Sequence, residues 1–235
     1  KKLDEQPFHV VGIGASAGGV DALKKFFRNI PPDTGAAYVV VTHLEPGHES
    51  TLDEIIGTIT DIPTHKAEDG MSIRPNHIYF NVPDKTLAIM EHKLYLMDMD
   101  EETKRSPINY FLRGLSHELG ELAIGIILSG TGTDGTLGLR KIKEHLGMVI
   151  AQDPDTAKFS GMPESAVNTN MVDYIIPAEE MGSRLVEYFS HTIQRISGSD
   201  RDRDYIPSDG LKKIYYILRS KTGHDFSSYK DSTIK

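Results

Sequence analysis

The chain alternates short apolar runs with longer amphipathic stretches. Residues 8–13 read F-H-V-V-G-I, residues 37–42 read A-Y-V-V-V-T, and residues 122–128 read L-A-I-G-I-I-L. Near-continuous Val/Ile/Leu runs of this length mark strands buried on both faces, as in a parallel sheet. Shorter runs of the same kind fall at 148–151 and 172–176. Between them the spacing of apolar residues becomes helical, at 20–29, 49–58, 135–145 and 179–196. Ser106 followed by Pro107 supplies an N-cap and a first-turn proline for a further helix, through about His117. Strand–helix alternation predicts an α/β fold: one main, doubly wound domain with a mostly parallel, Rossmann-like sheet.

One stretch departs from that rhythm. Residues 78–97 read I-Y-F-N-V, P-D-K, T-L-A-I-M, E-H-K, L-Y-L-M. Partial two-residue alternation with short polar turns predicts an antiparallel hairpin or meander attached to the main sheet. A charged loop, M-D-M-D-E-E-T-K-R, follows it. Near the other end, S-G-S-D-R-D-R-D-Y-I-P is polar and charged. This places a domain over residues 1–197 and a linker over 198–207. A last helix is expected at 208–222, and residues 208–235 are too few to build a core of their own.

Composition narrows the function classes. Hydrophobic residues make up 38% and charged residues 26%, ordinary for a soluble globular protein. A net charge of -8 and a pI of about 5.7 disfavour nucleic acid and anionic membrane as partners. The absence of cysteine removes disulfides, thiolate catalysis and zinc–thiolate sites. No apolar run approaches the roughly 20 residues that span a bilayer. The first residues, K-K-L-D-E-Q, lack the apolar core of a signal peptide. A soluble, cytoplasmic protein is expected.

The chemistry concentrates at G-I-G-A-S-A-G-G, residues 12–19. A dinucleotide-binding turn needs glycines at its first and third positions, here Gly12 and Gly14, and tolerates Ala17 at the sixth. It also needs an acidic residue at the end of the second strand, where this chain has Thr42 and His43. The same stretch contains G-A-S-A-G, the pattern of a turn that presents a nucleophilic serine, Ser16. The plainer alternative is that Ser16 caps the following helix.

A serine nucleophile needs a base and a group that orients the base. In a parallel sheet these come from loops at the carboxyl ends of the strands. His43 follows the second strand, and Asp134 follows the 122–128 strand in S-G-T-G-T-D-G. Individually, His43 reads as a surface histidine and Asp134 as a helix cap. Ser, His and Asp on three such loops together fit nucleophile, base and orienter. His43, His48, Glu45 and Glu49 do not match a helical H-E-x-x-H metal motif, so no metal site is expected. The remaining histidines are scattered singly, as structural or surface residues are.

With these loops in view, the chain resembles the CheB-type protein-glutamate methylesterase domain. The resemblance rests on V-V-G-I-G-A-S-A-G-G, V-V-V-T-H-L, A-E-D-G-M-S-I-R-P-N-H-I-Y-F, G-I-I-L-S-G-T-G-T-D-G and F-S-G-M-P-E-S-A. It implies hydrolysis of glutamate γ-methyl esters on chemoreceptor signalling helices, with glutamine deamidation in some members. It implies a Ser16, His43, Asp134 triad and no cofactor. The backbone N–H groups of Ala17 and Thr131 are the candidates for holding the oxyanion. Many relatives have Thr where this chain has Ala17, and Met where it has Thr131. The run T-G-H-D-F-S-S-Y-K resembles the start of a CheR-type receptor methyltransferase. That resemblance implies a fused methylesterase–methyltransferase protein, cut soon after the fusion point, in which this stretch has no methyltransferase activity of its own. The rival readings are a nucleotide-binding module and a non-catalytic receptor-docking module.

Overall fold

The computed structural model describes residues 7–44, 47 and 50–196. The linker expected at 198–207 and the helix expected at 208–222 lie outside the described residues. The chain divides into two units, Lys1–Phe189 and Ser190–Lys235. All of the described strands belong to the first unit.

The elements run in chain order as β1 (Val10–Ala15), α1 (Gly19–Arg28), β2 (Ala37–Thr42), α2 (Leu52–Gly57), β3 (Thr64–Lys66), β4 (Met71–Ser72), β5 (Ile78–Phe80), β6 (Lys85–Met90), β7 (Lys93–Asp98), α3 (Glu101–Arg105), α4 (Pro107–Leu119), β8 (Ala123–Ile127), α5 (Thr136–Glu144), β9 (Met148–Gln152), α6 (Gly161–Val167), β10 (Tyr174–Ile176) and α7 (Ala178–Ile196). Seven strands form one sheet in the order β10-β9-β8-β1-β2-β5-β3, and every pairing in it is parallel. The alternation of strand and helix thus yields the doubly wound α/β fold.

Both faces of this sheet are covered, which is why its strands read as continuous apolar runs. Val11 and Ile13 of β1, and Ile124 and Ile126 of β8, point into a core with Leu23, Phe26 and Phe27 of α1 and Met181 and Leu185 of α7. Val10, Val39 and Ile127 point to the other side, onto Phe111, Leu112 and Leu115 of α4 and Leu139 of α5. Gly12 and Gly14 lie within β1, not in the turn after it. A Cβ at Gly12 would lie 2.7 Å from Leu112 and 2.8 Å from Leu115, and one at Gly14 would run into Ile108. These two glycines therefore serve the close packing of α4 against the central strand.

The meander at 78–97 divides between two sheets. Residues Ile78–Phe80 are a parallel strand of the main sheet, paired with β2 and β3. The antiparallel hairpin is β6 and β7 alone, with β4 on the far side of β7, and it forms a separate three-stranded sheet. Its two-residue turn is Glu91-His92, both at positive φ (49° and 56°). That geometry matches the strand twist although neither residue is Gly or Asn. The expected strand at 172–176 is shorter, the helix at 49–58 begins only at Leu52, and the charged loop contains the short helix α3.

Candidate active site

β8, β1 and β2 are adjacent in the centre of the sheet. Their register pairs Gly14 with Val41 and with Ile127, so the three strands end nearly level. Ser16, His43 and Asp134 all lie just beyond those ends, and the structure brings the three side chains together. Ser16 Oγ is 3.1 Å from His43 Nδ1. His43 Nε2 is 3.1 Å from Asp134 Oδ2. With the ring proton on Nε2, facing the carboxylate, Nδ1 is the acceptor for the serine hydroxyl.

Ser16 does not cap α1 with its side chain. The cap position is Gly18, in the left-handed region at φ 71°, without a side-chain cap bond. The Ser16 N–H donates to the Ser129 carbonyl at 3.0 Å, and the Gly19 N–H donates to the Ser16 carbonyl at 2.8 Å. The backbone around the serine is thereby fixed while its hydroxyl stays directed at His43.

His43 has one-third of its side chain exposed, and its position is set by the residue before it. Thr42 is clamped by the buried side chain of Asn81. The Thr42 N–H donates to Asn81 Oδ1 at 3.0 Å, and Asn81 Nδ2 donates to the Thr42 carbonyl at 2.9 Å. The dinucleotide reading required a carboxylate at this point of the chain; what stands there is an imidazole turned to Ser16.

Asp134 does not cap α5, whose cap position is Gly135 with no side-chain bond. It caps α4 instead. Its Oδ2 accepts from the Ile108 N–H at 3.0 Å, and its Oδ1 accepts from the Asn109 N–H at 2.9 Å and the Gly135 N–H at 2.8 Å. Ser106 holds the N-cap position of α4 but makes no side-chain cap bond, contrary to the expectation from sequence. The carboxylate, 6% exposed, thus takes two free N–H groups of a helix N-terminus together with the imidazole.

The loop at 129–132 meets the nucleophile through residues that sequence reasoning did not single out. Ser129 Oγ donates to the Ala17 carbonyl at 2.9 Å, and the Ser129 N–H donates to the buried Gln152 side chain at 2.9 Å. The Gly130 N–H donates to the Phe159 carbonyl at 3.0 Å, and the Met162 N–H donates back to the Gly130 carbonyl at 2.9 Å. The F-S-G-M-P-E segment is therefore the support of this loop, and its place in a family-like motif was the only signal for that role. The N–H groups of Ala17 and Thr131 donate to no protein acceptor among the described residues.

His65 lies elsewhere, on the edge strand β3. Its ring stacks on His77 at 5.2 Å and on Tyr79 at 5.5 Å. Its pKa is held below the ordinary 6.5 by burial first, then by His77 and Arg74, with Glu68 opposing. His48 lies outside the described residues.

Comparison with known proteins identifies the family of this fold. The CheB methylesterase family model matches residues 11–185. A Thermotoga maritima protein-glutamate methylesterase/protein-glutamine glutaminase is 30% identical over 183 residues, covering 76% of this chain and 53% of that protein. The chain thus spans about half the length of that relative. A Leptospira interrogans relative is 28% identical over 190 residues, covering 80% of this chain and 98% of the relative. The crystal structure of the Thermotoga maritima CheB methylesterase catalytic domain superposes with a TM-score of 0.73 at 29% identity, covering 77% of this chain and 98% of that one. The chain belongs to the CheB methylesterase family.

Proposed function

We propose that Ser16, His43 and Asp134 are the catalytic residues of this methylesterase, and that its substrates are glutamate γ-methyl esters on chemoreceptor signalling helices. Ser16 Oγ attacks the γ-carbonyl carbon while His43 Nδ1 takes the hydroxyl proton. The imidazolium so formed is stabilised by Asp134 at Nε2. The negative charge moves to the carbonyl oxygen, held by the N–H groups of Ala17 and Thr131. One such donor is worth roughly 3 kcal/mol in the transition state. Collapse breaks the bond to the methoxy group, which leaves as methanol with the proton from His43. Water then gives its proton to His43, attacks the acyl-serine and releases glutamate and Ser16. With a glutamine substrate the same steps release ammonia, the deamidase activity in the names of the relatives. No step calls for a cofactor.

The observation that carries this reading is the continuous chain of contacts from Ser16 Oγ through His43 to Asp134, each at 3.1 Å. The proposed setting is the cytoplasm, where receptor signalling helices are reached without entering the membrane. Among the described residues no helix is long and apolar enough to cross a membrane. Residues 1–197 are proposed as the methylesterase domain, 198–207 as a linker, and 208–235 as the first part of a fused methyltransferase region. The last rests on the T-G-H-D-F-S-S-Y-K run.

The test is methanol release from methylated receptor membranes. Ser16→Ala is expected to lower the rate by about 10⁴-fold or more while the far-UV circular dichroism stays unchanged. Near-normal release by that variant refutes the assignment.

A further inference from the structure

Beside the nucleophile lies a groove of about 480 Å³. It is lined along α1 from Gly18 to Arg28, and by Lys158, Ser129 and Gln152. Gly18 is two residues from Ser16, and Ser129 is bonded to the Ala17 carbonyl. The groove therefore adjoins the two loops that hold the nucleophile in place. At 1.5 Å per residue it follows the helix for about 15 Å.

The chain carries a net charge of -8, yet this groove is lined by Lys24, Lys25, Arg28 and Lys158 against a single carboxylate, Asp21. Lys158 lies 3.9 Å from Asp21, and Lys25 lies 3.5 Å from Glu179. Both pairs are exposed, and such pairs hold their members weakly. Lys24 and Arg28 have no ion pair among the described residues. Cations gathered in a groove beside the loops of the nucleophile, on a chain of opposite overall charge, call for an anionic partner.

We infer that this groove docks the acidic flank of the substrate, placing carboxylates of the receptor segment along α1 while the methyl ester reaches Ser16. The inference rests on the proposed function above and goes beyond it by assigning the substrate's charge and the face that reads it. Each hydrolysed ester leaves a carboxylate, so a segment with several such sites fits the groove better as the reaction proceeds.

The experiment compares methylated receptor with a small neutral ester, p-nitrophenyl acetate. The variant Lys24→Glu/Arg28→Glu is expected to raise KM for receptor about tenfold with kcat unchanged, and to flatten its dependence on salt. Asp21→Asn is expected to act in the opposite direction, lowering KM for receptor. Hydrolysis of the neutral ester stays at the parent rate in both. Parent-like receptor KM and salt dependence in the folded double variant overturn the inference, as does an equal loss on the neutral ester. If the double variant does not fold, Asp21→Asn decides by the sign of its KM change. Ser16→Ala on the neutral ester separates the two claims: activity surviving there defeats the proposed function, whereas unchanged receptor KM with Ser16-dependent hydrolysis defeats only the groove.

Discussion

Asp134→Asn is the sharpest perturbation of the site, because the carboxylate accepts four hydrogen bonds and each oxygen serves two donors. Oδ1 takes the Asn109 and Gly135 N–H groups, and Oδ2 takes the Ile108 N–H and His43 Nε2. An asparagine replaces one oxygen by an NH₂ group. Whichever way the amide is turned, that NH₂ faces two donors. A buried donor left without an acceptor costs about 1–3 kcal/mol, so two cost about 2–6 kcal/mol. For a chain of this size the lower figure corresponds to a fall in Tm of at least ~4 °C. The imidazole can relieve one conflict by moving its proton to Nδ1, but Nδ1 then no longer accepts the Ser16 hydroxyl. With the NH₂ group turned to His43 a rate loss on the order of 10³–10⁴ is expected; with the oxygen turned there the tautomer is kept, and the loss is that of the negative charge that stabilises the imidazolium. Methanol release and thermal denaturation, measured on the same preparation, read both effects. A variant with the parent Tm refutes the capping role. A variant within about threefold of the parent rate refutes the orienting role, since His43 loses either its tautomer or the charge that stabilises its protonated form.

Two further perturbations probe other levels of the structure. A Cβ at Gly130 would run into the buried Met162 side chain and come within 3.0 Å of Ser16 Cβ. Gly130→Ala should therefore cost about 1–3 kcal/mol by overpacking and lower kcat by about 10²-fold through displacement of the nucleophile. A variant with parent kcat would show that this loop does not position Ser16. His65 tests the pH dependence of stability. Its folded-state pKa lies below the ordinary 6.5, so the unfolded chain binds the proton more readily. Stability is therefore lost as pH falls from 6.5 toward the folded-state value. His65→Gln should make Tm decline less steeply over that window in a melting series; equal slopes for parent and variant would refute the reasoning.

The central strands were legible because burial on both faces leaves no polar positions to confuse their period. β3 was not, since T-H-K is short, polar and paired along one edge only. β5 was drawn into the neighbouring hairpin because I-Y-F runs on through a polar turn to a strand that does alternate. α6 begins at Gly161 and carries Pro163, two residues that argue against a helix unless they sit in its first turn, as they do here. Ser16, His43 and Asp134 could be chosen from sequence because each follows a recognisable strand. The supports of the site could not be. Asn81, Gln152 and the 129–132 loop act through backbone bonds across the sheet edge, and no spacing along the chain announces which carbonyl an amide will meet. The role of Asp134 as the cap of α4 was hidden for the same reason: 26 residues separate it from Ile108.

The three strands that carry the site are third to fifth in a row of seven, with two more on either side. Fraying begins at sheet margins and termini, so amide hydrogens in β8, β1 and β2 are the last to exchange by local opening. The proposed reaction centre is thus tied to the centre of the described sheet. Heat inactivation is then expected to report the cooperative unfolding of the domain.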